Sequence, residues 1–157
     1  MDVKQKDASS RYLVLLRIDA YNLYHRINDR HAEFIEIFSL KRDRSIFKEI
    51  FKNRYSSMSI GELSNFSVEI IELANKFYQD IDELFWYLER TQDMPNTIED
   101  EVIRSCMRLE RQLDNLLLYI DAELSGKEVV MPPEIEAEDF IPTDDFSFDD
   151  DVQEDNG

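Results

Sequence analysis

From Leu13 onward, apolar side chains return at steps of three, four or seven residues: Leu13, Leu16, Ala20, Leu23, Ile27, Phe34 and Phe38. Such steps place side chains on one face of an α-helix, so the pattern predicts a first helix over residues 10–40. Ser9 and Ser10 stand where a hydroxyl oxygen can accept from a free backbone N–H of the first turn. His31 falls on the same stripe. At about 1.5 Å per residue this rod is roughly 46 Å long.

The charged run Lys41-Arg42-Asp43-Arg44 interrupts the stripe. Ile46, Phe47, Ile50 and Phe51 then form a short amphipathic element. A seven-residue step from Leu40 to Phe47 allows it to continue the first helix through a kink, but Ser45 as the cap of a separate short helix is preferred. Ser59 and Glu62 have the spacing of a capping box, in which each side chain satisfies the other's backbone N–H. From there Leu63, Phe66, Ile70, Leu73, Phe77, Ile81, Leu84 and Leu88 predict a second long helix. It should run to about Gln92, where Asp93-Met94-Pro95 stops it.

Asn96 or Thr97 is expected to cap the next helix, with Glu99 or Asp100 as the partner and acids suiting the positive end of the helix dipole. Its seam is Val102, Cys106, Leu109, Leu113, Leu116, Ile120 and Leu124, and Gly126 is placed to close it in the left-handed conformation. Matched lengths and short connections imply antiparallel neighbours. Ile71, Phe85, Trp86 and Leu117 widen the stripes beyond the seam of an extended two-stranded coiled coil. The expectation is an all-α fold: an antiparallel bundle of three long helices plus one short helix.

After Gly126 the periodicity ends. Pro132-Pro133 cannot continue a helix, and the acid-rich stretch behind it has neither a helical nor a strand period, which reads as a disordered tail. The predicted organisation is a flexible N-terminus over 1–9, a helical bundle over 10–126 and a disordered acidic C-terminal tail over 127–157.

Composition supports this division. The chain has only 3 Gly and 4 Pro in 157 residues, too few for the many turns of a strand-rich fold. Its net charge of −17 is uneven. Residues 1–55 hold 12 basic against 8 acidic side chains, residues 56–127 hold 6 against 15, and residues 128–157 hold 12 acids and no base. No apolar run approaches the roughly 20 residues that cross a bilayer. The charged first residues lack the apolar core of a secretion signal, and Cys106, the only cysteine, cannot form an internal disulfide. A cytoplasmic setting without membrane association is expected.

Catalytic patterns are sparse. The residues three before His25 and His31 are Asn22 and Asn28, so the Glu-x-x-His pairs of a di-iron bundle are missing. The two histidines, six apart, point to different sides of a helix. With no cysteine cluster, Gly-rich phosphate loop or nucleophile elbow, neither a metal nor another cofactor is expected. Arg26 and His31 have the Arg-x4-His spacing that is similar to that of the HEPN class of all-helical ribonucleases. That resemblance implies His as acid or base and Arg on a phosphate, although Ile27 follows the arginine where that class usually carries a polar residue.

Two binding features remain. Lys41, Arg42, Arg44, Lys48 and Lys52 form a candidate basic face, joined by Arg54 and punctuated by Phe47, Phe51 and Tyr55. Asp43 and Glu49 dilute it, and the acidity of the rest argues against nucleic acid as the partner. In the tail, Phe140, Ile141, Phe146 and Phe148 are set among acids that include Asp149, Asp150 and Asp151. The composition is similar to the acidic tips of bacterial single-stranded-DNA-binding proteins, except that six residues follow Asp151. A solvating tail has no need of aromatic rings, whereas a recognition segment uses charge to steer and rings to bury.

The leading expectation is a non-enzymatic protein–protein interaction module, an adaptor, regulator or chaperone-like bundle. It uses a helical face and the acidic-aromatic tail on a partner with a basic patch, and its seams leave self-association open. The competing readings are a nucleic-acid mimic or an autoinhibited regulator, with the tail on the basic 41–54 face, and the helical ribonuclease.

Overall fold

The structure, a computed structural model, describes residues 3–126, with side chains from residue 7. The tail over 127–157, with its expected disorder and recognition residues, lies outside the described residues. So do the side chains of residues 1–6.

Helices account for most of the described residues, and no strand occurs among them. They are α1 (Val3–Asp29), α2 (His31–Ser39), α3 (Ile46–Ile50), α4 (Ile60–Leu63), α5 (Val68–Arg90) and α6 (Pro95–Ser125), with a 3-10 turn at Tyr55–Ser57. The all-α class read from periodicity is the class observed.

Several predicted boundaries shift. The first helix begins at Val3, ahead of Ser9 and Ser10, and the Ser9 hydroxyl instead donates to the Asn65 carbonyl at 2.9 Å. The rod predicted over residues 10–40 breaks at Arg30, whose φ of −107° and ψ of 10° leave the helical basin. The break turns α2 onto α6, and Phe34 and Ile37 of α2 are buried. Ser45 does precede a separate short helix, but its hydroxyl donates to Asp43 Oδ2 at 2.6 Å and caps nothing.

Ser59 Oγ accepts from the Glu62 N–H at 3.1 Å as the capping pattern predicts, yet that helix ends at Leu63. A second cap, Ser67, whose Oγ accepts from the Ile70 N–H at 3.4 Å, starts α5. The predicted 59–92 rod is therefore two helices, because residues 64–67 turn the chain between two serine caps. At α6, Pro95 occupies the first helical position, so Asn96 and Thr97 lie inside the helix and do not cap it. A proline ring fixes the φ that a helix needs and forgoes an N–H that has no partner there anyway.

α6 is the central element, packed by α5 on one side and by α1 and α2 on the other. A short connection folds α5 back along α6 as a helical hairpin. α1 runs antiparallel to α6, since Arg17 pairs with Asp121 while Tyr24, further along, meets Glu110. α3 closes the space between α1 and α5. Its Phe47, with Phe51 just beyond its end, joins Phe34, Phe38 and Phe85 in a ring cluster, with Phe34 edge-on to Phe47 at 5.4 Å and Phe51 at 5.4 Å from Phe85. Edge-to-face and offset contacts at these separations suit the ring quadrupoles. All the seam residues of α5 and α6 from Phe66 to Ile120 are buried except Leu73, which is partly so.

Candidate functional site

α1 has two working flanks. On the flank toward α6, the Arg17 guanidinium makes a two-pronged pair with Asp121 at 2.7 and 3.1 Å, and the Tyr24 hydroxyl donates to Glu110 at 3.2 Å. Burial, reinforced by the Glu110 carboxylate, pushes the Tyr24 hydroxyl up to about 12. Three- and four-residue steps from these paired residues lead to exposed apolar side chains: Val14 and Tyr21 on α1, and Met107 and Leu118 on α6, with Ile103 one turn further along. Met107 is 64% exposed. Glu110 and Asp114 edge this apolar strip with negative charge, whereas Asp121 is compensated by Arg17. Within it lies a depression of about 210 Å³, lined by Tyr24, Asn28, His31, Ile103, Met107 and Glu110. Cys106 also borders it, but burial raises its thiol to about 11, so it remains protonated and is no nucleophile at neutral pH.

On its other flank, α1 meets the chain that follows α3. Asp19 accepts from the Arg54 backbone N–H at 3.0 Å through one oxygen and from the Tyr78 hydroxyl at 2.7 Å through the other. The Tyr55 ring lies parallel over Tyr78 with centroids 4.1 Å apart. Arg26 donates to the Ile50 carbonyl at 2.8 Å and to that of Lys52. These contacts shape two adjoining depressions that share Asp19 and Arg54. One, of about 180 Å³, is walled by Tyr12, Leu15, Leu16, Tyr55 and Met58, with Ser57 and the Glu62 carboxylate also at its wall. The other, of about 410 Å³, carries Asn22, Arg26, Lys52 and Asn53, with Glu49 also at its wall.

The predicted basic face is not gathered into one surface. Arg44 turns inward: it donates to the Leu88 and Glu89 carbonyls at 3.3 and 3.1 Å and lies over the Phe38 ring at 4.7 Å. It thereby satisfies backbone acceptors left open at the end of α5. Arg42 pairs with Glu36 at 3.8 Å, and Lys41 adopts a φ of 53° in the turn after α2. Lys48 and Lys52 stay exposed together beside Phe51, Asp82 and Phe85. Phe140, Ile141, Phe146, Phe148 and Asp149 to Asp151 fall outside the described residues.

Arg26 and His31 are not brought together. Arg26 lines the cleft beside Lys52, whereas His31, its Nδ1 2.9 Å from the Asn28 carbonyl, lines the depression toward α6. Among the described residues, no group of three or more His, Cys, Asp or Glu is arranged to hold a metal ion. No helix among them is long and apolar enough to cross a membrane. Sequence reasoning missed Asp19 and the groove around it. The available signal was Leu15 and Ile18, apolar positions off the buried seam of α1.

Comparison of the chain with family models, curated proteins and solved structures finds no match.

Proposed function

We propose that this chain is a non-enzymatic protein–protein interaction module that docks a partner on the α1/α6 face. The observation that carries this reading is the strip of Val14, Tyr21, Ile103, Met107 and Leu118. Every long helix has already buried a full seam, so these side chains are surplus to the core, and they line up on one flank. Scattered apolar residues on a surface are ordinary, whereas an aligned strip with a polar rim is what interfaces use. Methionine suits such a surface because its flexible thioether adapts to the partner's shape. The exposed acids Glu110 and Asp114 at its rim favour a partner with basic side chains around its own apolar patch. In this reading the acidic-aromatic tail supplies a second, steering contact to the partner's basic patch.

Affinity capture from the native cell tests this, read by mass spectrometry with three baits: the full chain, Met107→Glu/Leu118→Glu, and a chain ending at Lys127. The full chain should retain a discrete partner that the double variant loses while keeping its helical circular dichroism. Shortening should weaken capture. If all three baits recover the same proteins equally, the chain does not work through this face.

A further inference from the structure

The face of α1 that points away from the bundle carries a second apolar seam. Arg11, Val14, Ile18, Tyr21 and His25 follow one another at steps of three and four, the spacing of a helix that meets another helix. Val14, Leu15, Ile18 and Tyr21 are 42 to 49% exposed, although α1 already buries a full stripe from Leu13 to Ile27. Large apolar side chains gathered on one helix face exceed the scattered few of an ordinary surface. The His25 ring, 4.3 Å from that of Tyr21, continues the seam. Opposite charges bracket it. Arg11 and Asp29 are exposed at its two ends, and neither has an ion-pair partner among the described residues. About five full turns separate them, so they stand on one line along the helix. Asp29 also sits in the last turn of α1, at the negative end of the helix dipole, which is unfavourable for an acid unless a cation meets it. Arg26, the base of that turn, is engaged with the Ile50 and Lys52 carbonyls. Of the other charges described on α1, Arg17 pairs with Asp121, Asp19 holds the Tyr78 hydroxyl and the Arg54 N–H, and Asp7 lies a turn before the seam.

We propose that this seam is the contact of a homodimer, in which α1 packs antiparallel on α1 of a second copy. A two-fold axis beside Ala20 places each Arg11 against the copy's Asp29. Between these two ion pairs, Ile18 meets the copy's Tyr21 and Val14 meets its His25. Self-complementarity selects this occupant: opposite, unpaired charges at equal distances from the middle of one helix match the same helix turned end for end. A parallel pair would instead bring Arg11 level with Arg11 and Asp29 level with Asp29. The groove beside α1 adds no net charge, since Asp19, Glu49 and Glu62 offset Arg26, Lys52 and Arg54. Glu110 and Asp114 belong to α6, whose axis stands about 8–10 Å to one side at ordinary helix spacing. The dimer goes beyond the proposed function. It shares Val14 and Tyr21 with the α1/α6 strip but not Met107 or Leu118, so substitutions tell the two contacts apart.

The test is sedimentation velocity of the full chain between about 1 and about 100 μM, the range in which so short a contact should form and dissociate. A monomer–dimer equilibrium is expected. Ile18→Glu should raise the dissociation constant by more than about tenfold. Arg11→Asp and Asp29→Arg should each weaken the dimer by about fivefold or more, because each sets like charges together at both ends. Mixed in equal amounts, those two single variants should recombine into a mixed dimer of the original strength, since each supplies the charge that the other lacks. A merely structural role for either residue would not produce that rescue. Met107→Glu/Leu118→Glu should leave the dimer intact, and circular dichroism checks that each variant is folded. A chain that stays monomeric throughout this range overturns the proposal. So does a dimer that survives Ile18→Glu, or single variants that fail to recombine. Loss of the dimer in the Met107→Glu/Leu118→Glu chain would move the contact to the α1/α6 strip, and that too rejects the α1 seam.

Discussion

The Tyr78 hydroxyl donates a 2.7 Å hydrogen bond to Asp19 Oδ2, tying α5 to α1 across the space that α3 and the following segment fill. The other Asp19 oxygen holds the Arg54 N–H, so one carboxylate fixes two elements. Burial and the adjacent negative charge both push the Tyr78 hydroxyl far above its ordinary pKa, keeping it a donor. Replacing Asp19 by Ala leaves a buried hydroxyl without an acceptor and should cost about 1–3 kcal/mol. Tyr78→Phe removes both the donor and its desolvation cost and should lose only about 1 kcal/mol. Urea unfolding of the two single variants and the double variant measures their coupling, expected to be at least about 0.5 kcal/mol. Additive losses would mean that the pair does not act as a unit.

The Asp19 latch also marks the limit of what periodicity reveals. The seam of α6 from Val102 to Ile120 was legible as apolar spacing, though the buried Ile98 ahead of it was not included, and Gly126 was legible as a stop, because both follow from local geometry. The break at Arg30 was not: the apolar phase continues from Ile27 to Phe34 across it, so only the packing of α2 on α6 exposes the turn. The helix split at residues 64–67 was foreshadowed by Ser67, a cap signal hidden inside an unbroken three-and-four pattern. Arg44 read as a surface cation because its acceptors, the Leu88 and Glu89 carbonyls, lie more than forty residues away in the chain. Asp19, Arg26 and Tyr78 owe their roles to the same kind of distant pairing, which spacing along one helix cannot register.

Arg26 provides a second test. Its guanidinium reaches the carbonyls of Ile50 and Lys52 at the end of α3, a fork that a lysine ammonium cannot reproduce at both acceptors. Arg26→Lys should destabilise by about 1 kcal/mol and Arg26→Ala by about 2 kcal/mol. The effect should be local. In hydrogen exchange, the amides of residues 50–58 should lose protection before those of α5 and α6. Uniform loss across the chain would instead make Arg26 a global support.

The glycines of α4 and of the α6 terminus should respond to alanine with opposite signs. Gly126 has a φ of 75° with open space around a would-be Cβ, so the strain lies in the backbone alone. Gly126→Ala should cost about 1 kcal/mol and fray the last turn of α6. Gly61 lies inside a helix at a negative φ, and a Cβ there would sit 3.7 Å from Ser59 Oγ, an ordinary contact. Gly61→Ala should stabilise by about 0.5–1 kcal/mol through the unfolded chain's lost freedom. Thermal melts of the two variants decide the matter: a lowered midpoint for Gly61→Ala would mean that α4 needs its glycine.

Alkaline pH should unfold the protein in two stages, and the sign follows from which form each buried group keeps. Burial raises the Cys106 thiol from an ordinary 9.0 to about 11 and the Tyr24 hydroxyl from 10.0 to about 12, and it raises Tyr78 further. The folded protein therefore holds protons that the unfolded chain releases first. Stability from these groups is complete below about pH 9, falls between about pH 9 and 11 through Cys106, and falls again above pH 10 through the tyrosines. Urea midpoints measured from pH 7 to 11 should be level up to about 8.5 and then decline. Cys106→Ala should delay the onset by about one pH unit, and Tyr78→Phe should flatten the steeper limb above pH 10. Tyrosinate absorbance adds a structural check. Up to the pH of unfolding, Tyr24 and Tyr78 should resist titration most among the seven tyrosines, with Tyr55 and Tyr87, also raised by burial, titrating late. If all seven titrate together near pH 10 while the helices persist, Tyr24 and Tyr78 are not sheltered as the Glu110 and Asp19 contacts require.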